Sequence, residues 1–214
     1  MKNSSHPSHQ YHIIAFALDI PNLCSLTGLF CSVLSIYFSL LNNFSAAVIG
    51  MLWAVFFDYC DGIIARKMKQ RPEIFGRFGQ QLDSMIDIVS FGVCPAVFLL
   101  SYGQFSFLLL PVAFCILASN ALRLSYFNLF GLTDDGFYLG LSLDNNIFIF
   151  AFVFLFESLF SPLVFLIILS VLFMGLAFLN LAPIPTPKYQ GKWFYLIVAY
   201  VIVLTLIYGQ NFIV

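Results

Sequence analysis

Charged residues are scarce in this sequence. Only 9% of its 214 residues are Asp, Glu, Lys or Arg, whereas a water-soluble domain carries about 25%. So few charges cannot cover the surface of a soluble protein. The net charge of −1 also excludes the extended basic surface that binds nucleic acid. We therefore expect neither a soluble domain nor a nucleic-acid partner.

Paired cysteines are absent as well. The five cysteines are scattered, with no Cys-x-x-Cys pair and no spacing typical of a metal site. We interpret them as small apolar packing residues in helices. No cleavable signal peptide is evident, so we expect the first hydrophobic helix to remain as a membrane anchor.

Hydrophobic residues make up 61% of the chain, and they occur in runs near the length of about 20 residues that crosses a bilayer. The runs predict an all-α, polytopic transmembrane bundle of about six to eight helices. Seven candidate spans cover residues 21–41, 45–66, 82–101, 105–127, 145–160, 162–181 and 192–209. We divide the chain into a polar tail with an interfacial start (1–20), a transmembrane domain (21–209) and a C-terminal tail (210–214).

The distribution of basic residues predicts the orientation. With a cytoplasmic N-terminus, all nine basic residues fall on the cytoplasmic side, while the opposite loops carry only Glu157. These basic residues are Lys2, Arg66, Lys67, Lys69, Arg71, Arg77, Arg123, Lys188 and Lys192.

Two neighbouring predicted spans carry acidic residues at helical spacing. Steps of three and four place one set of residues on a single helix face at the end of the second span: Asp58, Asp61, Gly62 and Ala65. A second set shares a face at the start of the third span: Gly79, Asp83 and Asp87. Both faces lie at the cytoplasmic ends of antiparallel helices joined by a loop over residues 67–78, so we expect them to meet.

Four carboxylates at the edge of a bilayer would repel one another and lose hydration. Hard divalent cations such as Mg²⁺ or Mn²⁺ prefer oxygen ligands, and two of them could bridge the set. The small residues leave room for a ligand, and Arg66 offers a forked donor suited to phosphate. The alternative is that these aspartates simply end two helices in the headgroup layer. The matching face on the partner helix argues against it.

Written in order, these residues form Asp58-x2-Asp61-Gly62-x2-Ala65-Arg66-x12-Gly79-x3-Asp83-x3-Asp87. This pattern resembles the signature of the CDP-alcohol phosphotransferase family. The resemblance implies that Asp58, Asp61 and Asp83 ligate metal ions, with Asp87 beside them as ligand and general base. It also implies a CDP site formed by Asp61, Gly62, Ala65, Arg66 and Gly79.

Further segments resemble the integral-membrane phosphatidylserine synthases of bacteria and archaea. They are the stretches Leu82–Ala96, Ala121–Asn128 and Ala182–Tyr189, together with Ile20–Leu23 and Gly28–Cys31 in the first span. The resemblance implies transfer of a phosphatidyl group from CDP-diacylglycerol to L-serine, giving phosphatidylserine and CMP. One departure is that the chain has Ser142 and Asp144 where that subfamily usually has the prolines of Gly-Leu-Pro-x-Pro. This departure leaves the acceptor alcohol open.

Four residues are weaker candidates for contact with the acceptor or a lipid phosphate: Arg123, Asn120, Asn128 and Lys188. Arg123 is a cation at the membrane edge, which is costly unless it is paired. It could bind a substrate anion, extend to the headgroups or pair with an aspartate. The two asparagines could equally make structural hydrogen bonds, and Lys188 could serve only to orient the chain.

Two other functions compete with serine transfer. The same donor could react with glycerol phosphate, an inositol phosphate or another small alcohol, although phosphorylated acceptors call for more basic residues than this chain offers. A cation or proton transporter should place charges near the bilayer midplane and often shows repeated halves, and neither feature is evident. The family resemblance also implies a homodimer. We expect a multi-pass protein of the bacterial inner (cell) membrane with its active site at the cytoplasmic face.

Overall fold

The described chain is almost entirely helical. The computed structural model describes residues 12–131, 137–186 and 193–210. Its α-helices are α1 (Ile13–Ala17), α2 (Ile20–Leu40), α3 (Phe44–Lys67), α4 (Glu73–Asp87), α5 (Cys94–Tyr102), α6 (Leu110–Phe130), α7 (Leu143–Phe154), α8 (Pro162–Leu181) and α9 (Trp193–Gln210). The predicted all-α class is confirmed.

Short irregular elements connect some of these helices. A π-helical turn, Ile88–Val93, joins α4 to α5, and 3₁₀ turns occupy Phe107–Leu109 and Glu157–Leu159. The two-residue strands β1 (Tyr138–Leu139) and β2 (Pro185–Thr186) pair antiparallel. The π-helical turn ends at Val93, two residues before Pro95.

Six helical segments of the described residues are long and apolar enough to cross a membrane. They are Ile20–Leu40, Phe44–Lys67, Glu73–Tyr102, Phe107–Phe130, Pro162–Leu181 and Trp193–Gln210. The polytopic bundle of the prediction is therefore confirmed. The protein's tails at residues 1–11 and 211–214 lie outside the described residues, as do Lys188 and Lys192.

The predicted span 145–160 is wrong in its extent. The helix α7 has 12 residues, or about 18 Å at about 1.5 Å per residue. It nevertheless connects both ends of the bundle, because Asp144 at its start bonds Tyr59 and Glu157 beyond its end bonds Tyr102. An apolar helix this short is typical of a buried core element rather than a lipid-facing span.

The predicted start of the third span at residue 82 is also wrong. Instead of a loop over 67–78, the helix begins at Glu73 and continues through α4 to Tyr102. Its first turns are amphipathic, with Phe75 and Phe78 stacked on Phe16 of α1 at centroid distances of 4.7 and 4.6 Å. Their polar residues face outward, so a hydropathy reading takes this part of the helix for a loop.

Small residues bring α2 and α3 together. Ser32, Ser35 and Ser39 of α2 are fully buried, as is Ala47 of α3. A Cβ on Gly50 would lie 2.9 Å from the carbonyl oxygen of Cys31, so only glycine allows this approach of the two backbones. The close pairing holds α3, which carries Asp58 and Asp61, in a fixed place.

Aromatic rings fill the end of the bundle that lies away from Asp58 and Asp61. Phe98 of α5 packs on Phe150 and Phe154 of α7, with ring centroids 4.8 and 5.2 Å apart. Tyr102 lies 5.9 Å from Phe165 of α8. Edge-to-face packing of buried rings adds to the energy of burial, so this cluster anchors α5, α7 and α8 away from the aspartates.

Candidate functional site

Three carboxylates meet where α3 and α4 run beside each other. Asp58 lies in the second half of α3, and Asp83 and Asp87 lie one turn apart at the end of α4. One oxygen from each carboxylate lies within 4.8 Å of the others, and all three side chains are partly buried. The predicted meeting of the two acidic faces is confirmed for these residues, which we call the aspartate triad.

The aspartate triad fits a divalent cation. Carboxylates this close repel one another, and the repulsion is strong where water is partly excluded. Mg²⁺ and Mn²⁺ take carboxylate oxygens as ligands and would offset this charge. The donor set therefore agrees with the predicted metal.

Asp61 occupies a separate position beside the aspartate triad. Its side chain is 8% exposed and accepts a hydrogen bond from Ser25 Oγ of α2. Among the described residues it is not one of the three whose oxygens converge. Its role as a metal ligand therefore stays a prediction. Ser25 is a contact that the sequence reading missed.

The predicted CDP-binding residues of α3 lie one turn apart at its end. Ala65 is half-buried and Arg66 is exposed. An Arg66 guanidinium nitrogen lies 3.3 Å from the place that a Cβ on Gly62 would take. The absence of a side chain at Gly62 thus leaves room for this guanidinium beside Asp61. Contact with CDP stays a prediction for all of these residues.

Gly79 has a packing role that the sequence reading missed. A Cβ there would lie 2.6 Å from Asn22 Oδ1 and 2.9 Å from an Arg71 guanidinium nitrogen. Arg71 forms an ion pair with Asp19 and donates to Asn22 Oδ1 at 3.0 Å. Asn22 Nδ2 in turn donates to the Phe16 carbonyl at 2.8 Å. This network ties the starts of α2 and α4 together. The sequence signal for this network was the pair Asp19 and Asn22, which lie on either side of Pro21.

A second missed pair lies beside the aspartate triad. Tyr59 follows Asp58 on α3, and its hydroxyl donates to Oδ2 of Asp144. Asp144 is the second residue of α7 and is 7% exposed. Since Tyr59 is the neighbour of Asp58, this hydrogen bond joins the start of α7 to the part of α3 that contributes Asp58 to the aspartate triad. The signal for this residue was its place in the segment that departs from Gly-Leu-Pro-x-Pro.

The weaker acceptor candidates do not form one group. Arg123 is buried on α6. Asn128 is exposed and exchanges hydrogen bonds with Ser84 of α4, at 2.9 and 3.2 Å. That pair supports the structural alternative for Asn128. Lys188 lies outside the described residues.

Asn120 lines a small internal cavity rather than the surface of the aspartate triad. The cavity of about 10 Å³ is also lined by Asn146 and Asn180, and this is about the volume that holds one water molecule. Each of the three asparagines is at least nine-tenths buried and has a side-chain amide atom without a hydrogen-bond partner. Asn120 Nδ2 donates to the Ile116 carbonyl at 2.7 Å, so the amide is held by its own helix.

A comparison with protein families shows to which family the chain belongs. The family model described as CDP-alcohol phosphatidyltransferase matches residues 18–133, which is more than half of the chain. The chain belongs to the CDP-alcohol phosphatidyltransferase family. The match contains α2 to α6, and with them the aspartate triad and Asp61, and it ends before α7 and Asp144.

Individual relatives within this family differ in the acceptor that their names specify. The chain is 40% identical to the archaetidylserine synthase of Methanothermobacter thermautotrophicus over 56% of this chain and 50% of that protein. It is 33% identical to the CDP-diacylglycerol–serine O-phosphatidyltransferase of Methanocaldococcus jannaschii over 75% of this chain and 71% of that protein. It is also 36% identical to the CDP-diacylglycerol–glycerol-3-phosphate 3-phosphatidyltransferase of Aquifex aeolicus over 42% of this chain and 46% of that protein. The chain thus spans about half the length of the first of these relatives.

Proposed function

We propose that this CDP-alcohol phosphatidyltransferase family member transfers a phosphatidyl group from CDP-diacylglycerol to L-serine. The products are phosphatidylserine and CMP. The observation that carries the proposal is the aspartate triad, whose oxygens lie within 4.8 Å of one another. The names of the archaetidylserine synthase and of the serine phosphatidyltransferase support serine as the acceptor.

The reaction requires a base and a site for charge compensation. Asp87 accepts the proton of the serine hydroxyl as the serine oxygen forms a bond to the lipid-side phosphorus. The bond from this phosphorus to the CMP oxygen breaks, and CMP leaves with the bonding electrons. Asp58, Asp61 and Asp83 would hold the divalent metal, with Asp87 as a further ligand. When bound, Mg²⁺ or Mn²⁺ supplies positive charge that offsets the negative charge of the phosphates.

The position of the triad in the bundle suits a lipid donor. The acyl chains remain in the bilayer, while the nucleotide reaches the end of α3, where Arg66 is exposed and offers a forked donor to phosphate. Gly62, Ala65 and Gly79 complete the proposed CDP site. We place this end of the bundle at the cytoplasmic face of the bacterial inner membrane, because the basic residues lie at that end.

Glycerol phosphate is the second candidate acceptor. The Aquifex aeolicus relative is named for glycerol 3-phosphate, so family membership alone does not select serine. A phosphorylated acceptor brings about two negative charges at neutral pH and needs basic partners. The sequence offers Arg66 and Arg123 as the candidate basic partners, and this small number favours serine. The homodimer implied by the family resemblance stays a prediction.

An acceptor panel tests the proposal. Purified full-length protein is incubated with CDP-diacylglycerol and Mn²⁺ or Mg²⁺, and CMP release is measured with serine, glycerol 3-phosphate, inositol phosphate or choline in separate reactions. We expect CMP release with serine, loss of activity with EDTA, and recovery when the metal is returned. CMP release with only a non-serine acceptor would overturn serine as the substrate, and activity that survives metal removal would overturn the metal site.

A further inference from the structure

Asp144 is a buried carboxylate that the signature does not include. It occupies the second position of α7, is 7% exposed, and accepts a hydrogen bond from Tyr59 on α3. Because Tyr59 is the neighbour of Asp58, this bond fixes the start of α7 beside the aspartate triad. The start of α7 therefore brings an additional negative charge to the edge of the site.

Among the described residues, the carboxylate of Asp144 has no basic side chain as a close partner. No Lys, Arg or His nitrogen of the described residues lies within 4 Å of the Asp144 carboxylate. The N-terminus of α7 favours a carboxylate, but this effect is small beside the cost of burying a charge without a cation.

A cationic group on the acceptor would offset this buried negative charge. An amino alcohol fits, because its ammonium group is only a few bonds from the hydroxyl that must reach Asp87. A phosphorylated alcohol would bring further negative charge toward Asp144 and would be repelled. The family match covers residues 18–133 and does not include this residue.

We propose that Asp144 binds the ammonium group of the acceptor and makes the site selective for amino alcohols over phosphorylated alcohols. This inference rests on the proposed function, since it assigns the acceptor end of the same site. Tyr59 is a positioning residue, because its hydroxyl donates a hydrogen bond to the Asp144 carboxylate.

The test is the steady-state kinetics of Asp144→Asn in the full-length protein with CDP-diacylglycerol and Mn²⁺. This change removes the charge and keeps the shape of the side chain. We expect the KM for serine to rise at least about tenfold, as for loss of one partner of a buried charge pair. We expect kcat to stay within about threefold, since ammonium binding is the same in ground and transition states. Ethanolamine should compete with serine in the wild type and much more weakly in the variant.

Glu157→Gln is the matched control. It also turns a carboxylate bonded to a tyrosine hydroxyl into an amide, at 3.0 Å from Tyr102 and at the other end of the bundle. It should leave the KM for serine unchanged, and thermal unfolding in detergent should show both variants folded. Tyr59→Phe should raise the same KM less than Asp144→Asn does, because the charge remains.

The outcomes separate the two proposals. Serine activity in the wild type with an unchanged KM in Asp144→Asn would overturn the role of Asp144 and leave the proposed function standing. A variant that needs more Mn²⁺ but has the wild-type KM for serine would make Asp144 a metal ligand and overturn the ammonium site. Wild-type activity with glycerol 3-phosphate but not serine would overturn both proposals.

Discussion

At the scale of single residues, the aspartates differ in their hydrogen-bond partners and in their positions on the helices, and we therefore assign them different roles. Asp87 is the last residue of α4 and directly precedes the π-helical turn, a kind of turn that is frequent at functional sites. Asp61 is bonded to Ser25, and Asp144 is bonded to Tyr59. Asp87 thus lies where the helix changes its geometry, beside Asp58 and Asp83, which agrees with its proposed role as the base.

The proposed role of Asp87 as the base predicts that replacing its carboxylate by an amide greatly lowers the reaction rate. Asp87→Asn should lower kcat for CMP release by about 10² to 10⁴, the usual range for loss of a general base. The measurement is the CMP assay at saturating metal and substrates, with thermal unfolding to show that the variant is folded. Glu157→Gln serves as the carboxylate-to-amide control at the other end of the bundle. A kcat for Asp87→Asn close to that of the wild type would show that another group accepts the proton.

At the scale of helices, the pair α2 and α3 depends on the absence of a side chain. The Cβ position at Gly50 is 2.9 Å from the Cys31 carbonyl oxygen and 3.0 Å from the Ser35 nitrogen. These are backbone atoms, which cannot rotate away as a side chain would. A larger residue must therefore move one helix against the other. Since α3 carries Asp58 and Asp61, such a shift also reaches the site.

The contact at Gly50 predicts a loss of stability. Gly50→Ala should destabilise the protein by about 1–3 kcal/mol, as expected for overpacking. Gly175→Ala on α8 is the control, because nothing lies within 4 Å of its Cβ position. Removing a glycine from a helix interior there should be neutral or stabilising by up to about 1 kcal/mol. Unfolding in detergent by heat or denaturant measures both, and equal stabilities would contradict the close approach of α2 and α3.

The elements that the sequence reading placed incorrectly have a common cause. Hydropathy detects lipid-facing runs, and it missed the first turns of α4 because their apolar side is narrow and packs on other helices, for example on Phe16 of α1. It extended α7 past Phe154 because the residues that follow are also apolar, although the chain leaves the α-helix there and forms a 3₁₀ turn. In both cases the boundary depends on contacts with other helices, which a local reading does not contain.

At the scale of the whole molecule, charge divides the bundle into two ends. The described basic residues fall in the second half of α3, the following loop, α4 and α6, at the end that holds the aspartate triad. Glu157 lies at the other end, bonded to Tyr102. A bundle with its basic residues at one end has a preferred orientation in a membrane.

This asymmetry predicts which loops react from outside a cell. In a cysteine-free background, Ser158→Cys, in the exposed 3₁₀ turn, should be labelled by a membrane-impermeant maleimide in intact cells. Gln70→Cys, in the exposed loop between α3 and α4, should be labelled only after the membrane is permeabilised. The reverse labelling pattern would invert the proposed orientation and place the triad on the outer face.

The sequence by itself determined the helical class and the helix faces that carry Asp58, Asp83 and Asp87. It predicted seven membrane spans, and the described residues contain six helices long and apolar enough to cross a membrane. These features follow from composition, periodicity and spacing along one or two helices. Only the tertiary structure showed that Asp61 turns to Ser25, that Gly79 makes room for Asn22 and Arg71, and that α7 brings Asp144 beside the triad. These contacts join helices that are distant in sequence. They depend on how the helices pack together, which no local sequence pattern contains.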